Sequence, residues 1–211
     1  MKKIIFIFAT AFSLFSCSDD DSSGSALKPS TVNFSVDGVT ELRAFTYDTK
    51  NRISTFTAGG ETTTFTYTNK NQVERLTGSD SFLEFSYDSS GKLTGLVDQD
   101  GVAVNITQTG DYSYVVEGIT YSFNPNGDWN LYESVTYTYS SSKGPFANVR
   151  HLNLLALSFV DNYTYLYASK KAFSTAFNQG LEFSFAITTG DNGLPQTSTV
   201  DTFSATYTYS N

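Results

Sequence analysis

The sequence predicts an all-β protein, an antiparallel meander of repeated hairpins curled into a half-barrel or barrel-like sheet of roughly a dozen strands. Three observations predict this fold class. Aromatic residues make up 16% of the chain, mostly 18 Phe and 14 Tyr, and such residues favour strands. A motif with two aromatic residues recurs every 20 residues between positions 41 and 105. Triplets in which Ser or Thr separates two aromatic residues continue as far as Tyr207–Tyr209.

The N-terminal segment has the layout of a secretory signal peptide. Lys2 and Lys3 precede an apolar run of 11 residues from Ile4 to Leu14. This run is too short to cross a bilayer as a helix, which takes about 20 residues. We therefore expect residues 1–17 to be a signal, residues 18–30 an acidic Ser/Gly linker, and residues 31–211 a single β-rich domain.

The end of this segment resembles the lipobox of bacterial lipoprotein signals. Leu14, Ser16 and Cys17 occupy the aliphatic, small and cysteine positions of that motif. The resemblance implies that cleavage leaves Cys17 as an acylated N-terminus, which would hold the protein on a membrane. A lipid anchor on Cys17 is thus the membrane contact that we expect.

An acidic run follows the cysteine, formed by Ser18, Asp19, Asp20 and Asp21. It resembles the export signal of surface-exposed lipoproteins of Bacteroidota. A solvated linker would have a similar composition and is the alternative. The resemblance implies a lipid-anchored protein of the bacterial outer membrane that faces the cell surface.

Charge and cysteine content exclude several functions. The formal net charge is −8, and loss of Lys2 and Lys3 with the signal makes the mature chain more acidic. Such a chain has no electrostatic attraction to nucleic acid, so we predict no nucleic-acid partner. Cys17 is the only cysteine, and its acylation leaves no thiol for a disulfide or for redox chemistry.

The main feature of the mature chain is the 20-residue repeat, in which Phe45–Asp48, Phe65–Thr68 and Phe85–Asp88 correspond. Three residues later each copy has Asn or Gly, which suits the left-handed position of a hairpin with a type I turn and bulge. The structural positions of the motif are Tyr47, Asp48, Asn51, Tyr67, Asn71, Tyr87, Asp88 and Gly91. Each repeat unit is therefore predicted to form two strands and two turns.

These motifs resemble the YD repeats of RHS and teneurin-type proteins, most closely at Tyr87-Asp88-Ser89-Ser90-Gly91-Lys92-Leu93. Clear copies cover residues 41–105, and a degenerate copy at Phe123–Trp129 places Gly127 in the left-handed position. RHS shells contain many more units, so a closed encapsulating shell is not expected for this chain.

The apolar positions of each second strand leave one question open. Ile53 and Phe56 differ in parity, as do the equivalent residues of the next two copies. Residues on one face of a regular strand are separated by an even number of positions. Either each second strand contains a bulge or both faces of the sheet are covered.

The aromatic triplets are interpreted as the core-facing stripe of the meander rather than as a ligand platform.

Between residues 146 and 159, apolar residues at helical spacing from Val149 to Phe159 predict one short helix after Pro145. This stretch and Tyr167–Lys171 resemble uncharacterised Bacteroidota lipoproteins of the DUF4595 kind. That resemblance implies a porin-like β-fold.

No catalytic signature stands out. His151 is the only histidine, which argues against a zinc site or a His-dependent triad, and we interpret it as structural. Asp98-Gln99-Asp100-Gly101 is interpreted as a repeat turn rather than a Ca²⁺ loop. Trp129 is interpreted as core rather than as a platform for a sugar ring.

The carboxylates near predicted strands are Glu117, Glu133, Asp161 and Glu182. No spacing singles out a pair of them.

We therefore predict a lipoprotein that is not an enzyme, needs no cofactor or metal, and has a binding or structural role. Its expected partner, besides the membrane, is a glycan or another protein. The first alternative is a glycan-binding accessory protein of a nutrient-uptake system. The second is a hydrolase, which would need two carboxylates about 5 to 9 Å apart in a cleft.

Overall fold

The computed structural model describes residues 26–211. Cys17 and the acidic run from Ser18 to Asp21 lie outside the described residues. The described part forms 18 strands, all paired antiparallel, and two short helices, which confirms the predicted all-β class. The strands outnumber the dozen predicted because several of those between residues 103 and 132 have only two to five residues.

The strands form two sheets. The first sheet contains β1 (Lys28–Val36), β2 (Val39–Tyr47), β3 (Ile53–Ala58), β4 (Glu61–Tyr67), β5 (Val73–Thr77), β6 (Phe82–Tyr87), β7 (Leu93–Asp98), β8 (Ala103–Val104), β16 (Ala186–Thr189), β17 (Pro195–Val200) and β18 (Phe203–Ser210). The second sheet contains β9 (Ile106–Gly110), β10 (Ser113–Val116), β11 (Ile119–Phe123), β12 (Trp129–Tyr132), β13 (Val135–Lys143), β14 (Lys171–Asn178) and β15 (Leu181–Ser184). The helices are α1 (Leu154–Ser158) and α2 (Thr164–Tyr167).

The chain passes between the two sheets at two corners. Asn105 alone separates β8 from β9, and Phe185 alone separates β15 from β16. Within each sheet, hydrogen-bonded strands are consecutive in sequence, apart from β18, which pairs with β1. The two helices lie in the connection between the paired strands β13 and β14. The predicted meander is therefore present, but it is divided into two sheets where pairing is interrupted at the corners.

The first strand begins earlier than predicted. Lys28 pairs with Ser210 and Pro29 with Tyr209, so β1 includes residues that the sequence assigns to the linker. Pro29 and Ser30 are typical linker residues, but they lie in a strand because β18, at the far end of the chain, supplies hydrogen-bond partners.

The three repeat hairpins are β2–β3, β4–β5 and β6–β7. The φ angles are +62° at Asn51, +63° at Asn71 and +89° at Gly91, so the left-handed residue of each turn is where the sequence predicts it. These turns, together with the start of β1, mark one end of the sheets, because the Lys28 ammonium donates a 2.9 Å hydrogen bond to the Asn51 side chain. We call this end the repeat-turn end.

A bulge in each second strand explains the parity of the apolar residues. In the first repeat, Thr46 pairs with Thr55 but the next residue, Tyr47, pairs with Ile53, so Ser54 is the extra residue. The same shift occurs at Glu74 and Thr94 in the next two repeats. Both apolar residues of each strand are therefore buried on the same side of the sheet.

The connection from β13 to β14, residues 144–170, packs inside the fold, and we call it the inner segment. Phe146 is fully buried, and its ring lies 5.3 Å from that of Phe45 in the first sheet. Tyr165 stacks at 4.6 Å on Tyr132 of the second sheet. The inner segment therefore fills the space between the two sheets and supplies much of the common core.

The inner segment enters and leaves through a narrow neck. The backbone N–H of Gly144 donates to the carbonyl of Lys170 at 2.7 Å. The buried carboxylate of Asp128 accepts hydrogen bonds from the backbone N–H groups of Lys170, at 2.6 Å, and Lys171, at 3.1 Å. These bonds satisfy backbone groups where neither helix nor sheet does so.

The helix predicted in residues 146–159 is present only as α1. It begins after Asn153, whose side chain accepts from the N–H of Ala156 at 2.9 Å, rather than after Pro145. His151, at φ +50°, interrupts the helical backbone before that point. The sequence does not predict the second helix, α2, because its four residues carry no apolar periodicity. No helix of residues 26–211 is both long and apolar enough to cross a membrane.

Candidate functional site

A partly open pocket of about 310 Å³ lies at the repeat-turn end. Three parts of the fold line it: the second and third repeat hairpins, the β10–β12 region of the second sheet, and the inner segment around α1. Its volume is at the lower end of the range for small-molecule sites, about 300–1,000 Å³. The pocket is therefore formed where the repeat array of the first sheet meets the second sheet.

A row of tyrosines runs along the first sheet toward this pocket. The hydroxyl of each repeat tyrosine donates to a carbonyl at the start of a neighbouring strand. The bonds are Tyr47 Oη to Pro29 O (2.6 Å), Tyr67 Oη to Ile53 O (2.7 Å) and Tyr87 Oη to Val73 O (2.7 Å). Burial raises the pKa of all three hydroxyls, so they stay protonated and remain donors. Tyr87 both ends this row and lines the pocket.

Side chains also connect successive repeat turns. In each case the residue after the left-handed position reaches the next turn. The bonds are Arg52 Nη1 to Asn71 Oδ1 (3.1 Å), Gln72 Nε2 to Gly91 O (2.8 Å) and Lys92 Nζ to Asp111 Oδ1 (2.9 Å). A Cβ on Gly91 would lie 3.1 Å from Gln72 Nε2, so glycine suits both the φ angle and this close approach.

Four side-chain amides line the pocket: Asn71, Gln72, Asn124 and Asn153. Each uses one polar atom to hold the protein together. Asn71 Oδ1 accepts from Lys50 and Arg52, Gln72 Nε2 donates to Gly91, Asn124 Nδ2 donates to Trp129, and Asn153 Oδ1 caps α1. The other polar atom of each amide has no hydrogen-bond partner among residues 26–211. The four lining amides therefore keep two donor groups and two acceptors that no described residue engages.

Four aromatic residues contribute to the pocket lining, and we call them the aromatic wall. Its members are Tyr87, Tyr112, Tyr114 and Phe123. Tyr112 is 51% exposed and makes no ring contact within the described chain. Phe123 packs at 4.9 Å against Trp129, which is fully buried, so the interpretation of Trp129 as core is confirmed. A sugar platform on Trp129 is excluded, because the residue is fully buried and is not part of the pocket lining.

The pocket lining carries no permanent charge. None of its 17 residues is Asp, Glu, Lys or Arg, and none is Ser, Thr or Cys. His151 is the titratable imidazole of the lining and lies at the protein surface. Partial burial and the nearby cations Arg52, Lys170, Arg150 and Lys50 lower its pKa. This lowering of the pKa favours the neutral form of the His151 imidazole.

The carboxylates considered from sequence do not form a pair in this pocket. Asp161 is buried between β2 and α2, where it accepts from Arg43 Nε and from the Tyr167 hydroxyl, both at 2.7 Å. Glu117 accepts from the backbone N–H of Asn105 at 2.6 Å, in a turn outside the pocket. Glu133 occupies a turn at φ +55°, and Glu182 is exposed on β15. Their positions indicate structural and surface roles.

Asp98–Gly101 forms a turn, in agreement with the interpretation from sequence. Its first carboxylate accepts from the backbone N–H groups of Asp100 at 3.0 Å and Val102 at 2.9 Å, so its oxygen is engaged within the loop. In the described range, no group of three or more His, Cys, Asp or Glu side chains is arranged to hold a metal ion.

The repeat residues contribute unequally to the pocket. Asn71, Tyr87 and Gly91 line it, whereas Tyr47, Asp48, Asn51, Tyr67 and Asp88 lie outside the lining. Sequence reasoning missed Tyr112, Tyr114, Asn124 and Asn153 as pocket residues. Asn124 had a usable signal, because its turn at Phe123–Trp129 fits the repeat template.

No protein-family model matches the chain, and no curated protein is detectably similar to it in sequence. Among solved structures, the chain is similar to a porin-like protein from Bacteroides uniformis, with 12% sequence identity and a TM-score of 0.43. The similarity covers 86% of this chain and 98% of that protein. It is too distant to inform the function of the pocket.

Proposed function

We propose that this protein is a lipoprotein of the bacterial outer membrane, displayed at the cell surface, whose pocket binds a ligand without chemically changing it. Acyl groups on Cys17 provide the anchor, and no nucleic acid, cofactor or metal takes part. The support for the anchor is the sequence pattern of Lys2, Lys3, the short apolar run and the lipobox at Leu14–Cys17. The support for surface display is the acidic run that follows Cys17.

The observation that carries the binding role is the composition of the pocket. Covalent catalysis most often uses Ser, Cys, Thr, Lys or a carboxylate as the nucleophile, and the lining has none of these. His151 and the tyrosines are the only lining side chains of a type that can form a covalent intermediate. General acid–base hydrolysis of a glycosidic bond uses two carboxyl groups, which this pocket also lacks. A concave site that is aromatic, amide-rich and without such groups is suited to holding a ligand.

The distance available between anchor and domain favours access to the pocket. Eleven residue steps separate Cys17 from Lys28, where β1 begins. At about 3.3–3.6 Å per residue, eleven steps set an upper limit of about 36–40 Å on the distance between Cys17 and Lys28. The lipid anchor therefore leaves room for a ligand at the repeat-turn end.

Replacement of the anchor residue tests the first part of the proposal. In cells fed radiolabelled palmitate, Cys17→Ala should abolish labelling of the protein and remove it from the outer-membrane fraction. Ser23→Ala, a change in the linker, is the matched control and should leave both unchanged. Retention of Cys17→Ala in the outer membrane with undiminished label would overturn the lipoprotein assignment.

A further inference from the structure

The unpaired amide atoms around the pocket indicate the chemistry of its ligand. Nδ2 of Asn71 and Asn153 are donors, while Oε1 of Gln72 and Oδ1 of Asn124 are acceptors, and none has a partner among the described residues. A hydroxyl group both donates and accepts, whereas a carboxylate only accepts and an ammonium only donates. Several hydroxyls on one ligand would satisfy both kinds of group.

The aromatic wall complements these amides. Tyr112 presents a half-exposed ring, and Tyr87, Tyr114 and Phe123 are partly buried beside it. A tyrosine ring offers an apolar face together with a polar edge, and so packs well on a molecule that is apolar on one face and hydroxylated at its edge. A purely apolar ligand would leave the amide atoms desolvated and unpaired, which costs binding energy.

The charge of the pocket lining limits the charge of a ligand that can bind there. The lining contains no Lys, Arg, Asp or Glu. On the neighbouring turns, Arg52 is paired with Asp48 and Lys92 with Asp111, while Lys50 and Lys70 donate hydrogen bonds to Asn71 Oδ1 and to the Ser89 carbonyl. A charged ligand would lose hydration without gaining an ion pair inside the pocket. The ligand that fits is neutral.

We propose that this pocket binds a short neutral segment of a saccharide, with sugar hydroxyls on the four amides and a ring face on the tyrosine wall. This inference rests on the proposed binding function and adds the class of ligand. The modest volume and open mouth suit a short segment whose chain continues into solvent.

The repeat supplies a matched pair of variants for the test. Asn71→Gly removes the amide from the pocket but keeps a left-handed turn, because Gly91 fills the same position in the third repeat. Asn51→Gly makes the same change in the first repeat, outside the lining. Isothermal titration of the full mature chain with neutral maltoheptaose, laminarihexaose, xylohexaose and mannohexaose provides the measurement. Polygalacturonate and chondroitin sulfate are the anionic comparison.

At least one neutral saccharide should bind, and Asn71→Gly should weaken it several-fold while Asn51→Gly leaves it unchanged. Tyr112→Ala should weaken it on the order of tenfold, and Tyr112→Phe, which keeps the ring, should not. Tyr112 is exposed, so both of its variants should unfold at the temperature of the unaltered protein. A saccharide that binds equally well to Asn71→Gly and Tyr112→Ala would overturn the pocket assignment.

Failure of this inference is separable from failure of the proposed function. Binding of none of the neutral saccharides, or of the anionic ones alone, would overturn the saccharide assignment. If the hydrophobic dye ANS then binds and Tyr112→Ala abolishes that binding, the binding role stands with a different ligand. Cleavage of a bound saccharide, seen by chromatography of the titrated sample, would instead overturn the non-catalytic role itself.

Discussion

The hydroxyl of Tyr87 donates a 2.7 Å hydrogen bond to the carbonyl oxygen of Val73, which opens β5 in the preceding repeat. Tyr67 makes the same bond to Ile53, and Tyr209 makes it to Pro195, each across 14 positions of sequence. The second aromatic residue of the repeat therefore does more than fill the core. It ties each hairpin to its neighbour next to a bulge, where the regular ladder is interrupted.

Loss of one such hydroxyl should be measurable. Tyr67→Phe keeps the ring but leaves the Ile53 carbonyl without this donor, so the free energy of unfolding should fall by about 1–2 kcal/mol in urea titration. Tyr112→Phe is the control, because the Tyr112 side chain makes no hydrogen bond within the described residues. Equal stability of the two variants would show that the tyrosine bonds contribute nothing net.

The ion pair between Arg43 and Asp161 should be far more important than the exposed pair of Arg75 and Glu84. Arg43→Met leaves the Asp161 carboxylate buried without its cation, and we expect a loss of about 3–5 kcal/mol in the free energy of unfolding. Arg75→Met breaks a 3.5 Å pair at the surface and should cost less than about 1 kcal/mol. Chemical denaturation of both variants measures the difference, and similar losses would contradict it.

The neck of the inner segment depends on Gly144. A Cβ at this position would lie 2.5 Å from the carbonyl oxygen of Ser169 and 2.6 Å from that of Lys171, so the backbone must move. Gly144→Ala should lower the thermal midpoint by several degrees or prevent folding. Gly95→Ala is the control, since its Cβ would meet only the Ser86 side chain at 3.7 Å. An unchanged melting curve for Gly144→Ala would contradict the close approach.

The turn carboxylate of Asp48 should make stability depend on pH. Its burial opposes ionisation, but hydrogen bonds and charge from Arg52 and the backbone N–H of Lys50 outweigh burial and lower its pKa. The unfolded chain then binds the proton more readily, so Asp48 stabilises the fold at neutral pH and loses this effect in acid. Asp48→Asn should be less stable by about 0.5–1 kcal/mol at pH 7.

That difference between Asp48→Asn and the unaltered protein should shrink as the pH falls below about 4, where Asp48 of the unfolded chain takes up a proton while the folded chain, with its lowered pKa, resists protonation. Urea titrations of both proteins at pH 7, 5 and 3.5 would measure it. A difference that stays constant across this range, or grows in acid, would show that the ion pair with Arg52 is not its source.

The local features of the fold were predictable and the long-range ones were not. The turns at Asn51, Asn71 and Gly91 follow from residues that tolerate positive φ, and this preference is carried by a few adjacent residues. The corners at Asn105 and Phe185 have no comparable local signal in the sequence. At each corner the chain leaves one sheet and joins the other, which depends on strands that are far away in sequence. The bulge was one of two options left open by the parity of the apolar residues, and strand pairing decided between them.

The pocket could not be assembled from sequence for the same reason. Gln72 and Gly91 are 19 positions apart, and Asn124 and Asn153 come from the second sheet and the inner segment. The four amide side chains come close together only in the folded protein, where these elements are in contact. Apolar spacing likewise predicted a helix from residue 146, but the neck at Gly144 and the left-handed His151 delay its start to Leu154.

Protease shaving of intact cells, with peptides from residues 41–209 quantified by mass spectrometry, tests the placement of this protein most directly. We expect the domain to be digested on intact cells as fully as in lysates. Ala at Asp19, Asp20 and Asp21 should protect the domain until lysis, while Ser23→Ala should not. Protection of the unaltered protein on intact cells would contradict surface display, and unchanged digestion of the triple variant would contradict an export role for the acidic run.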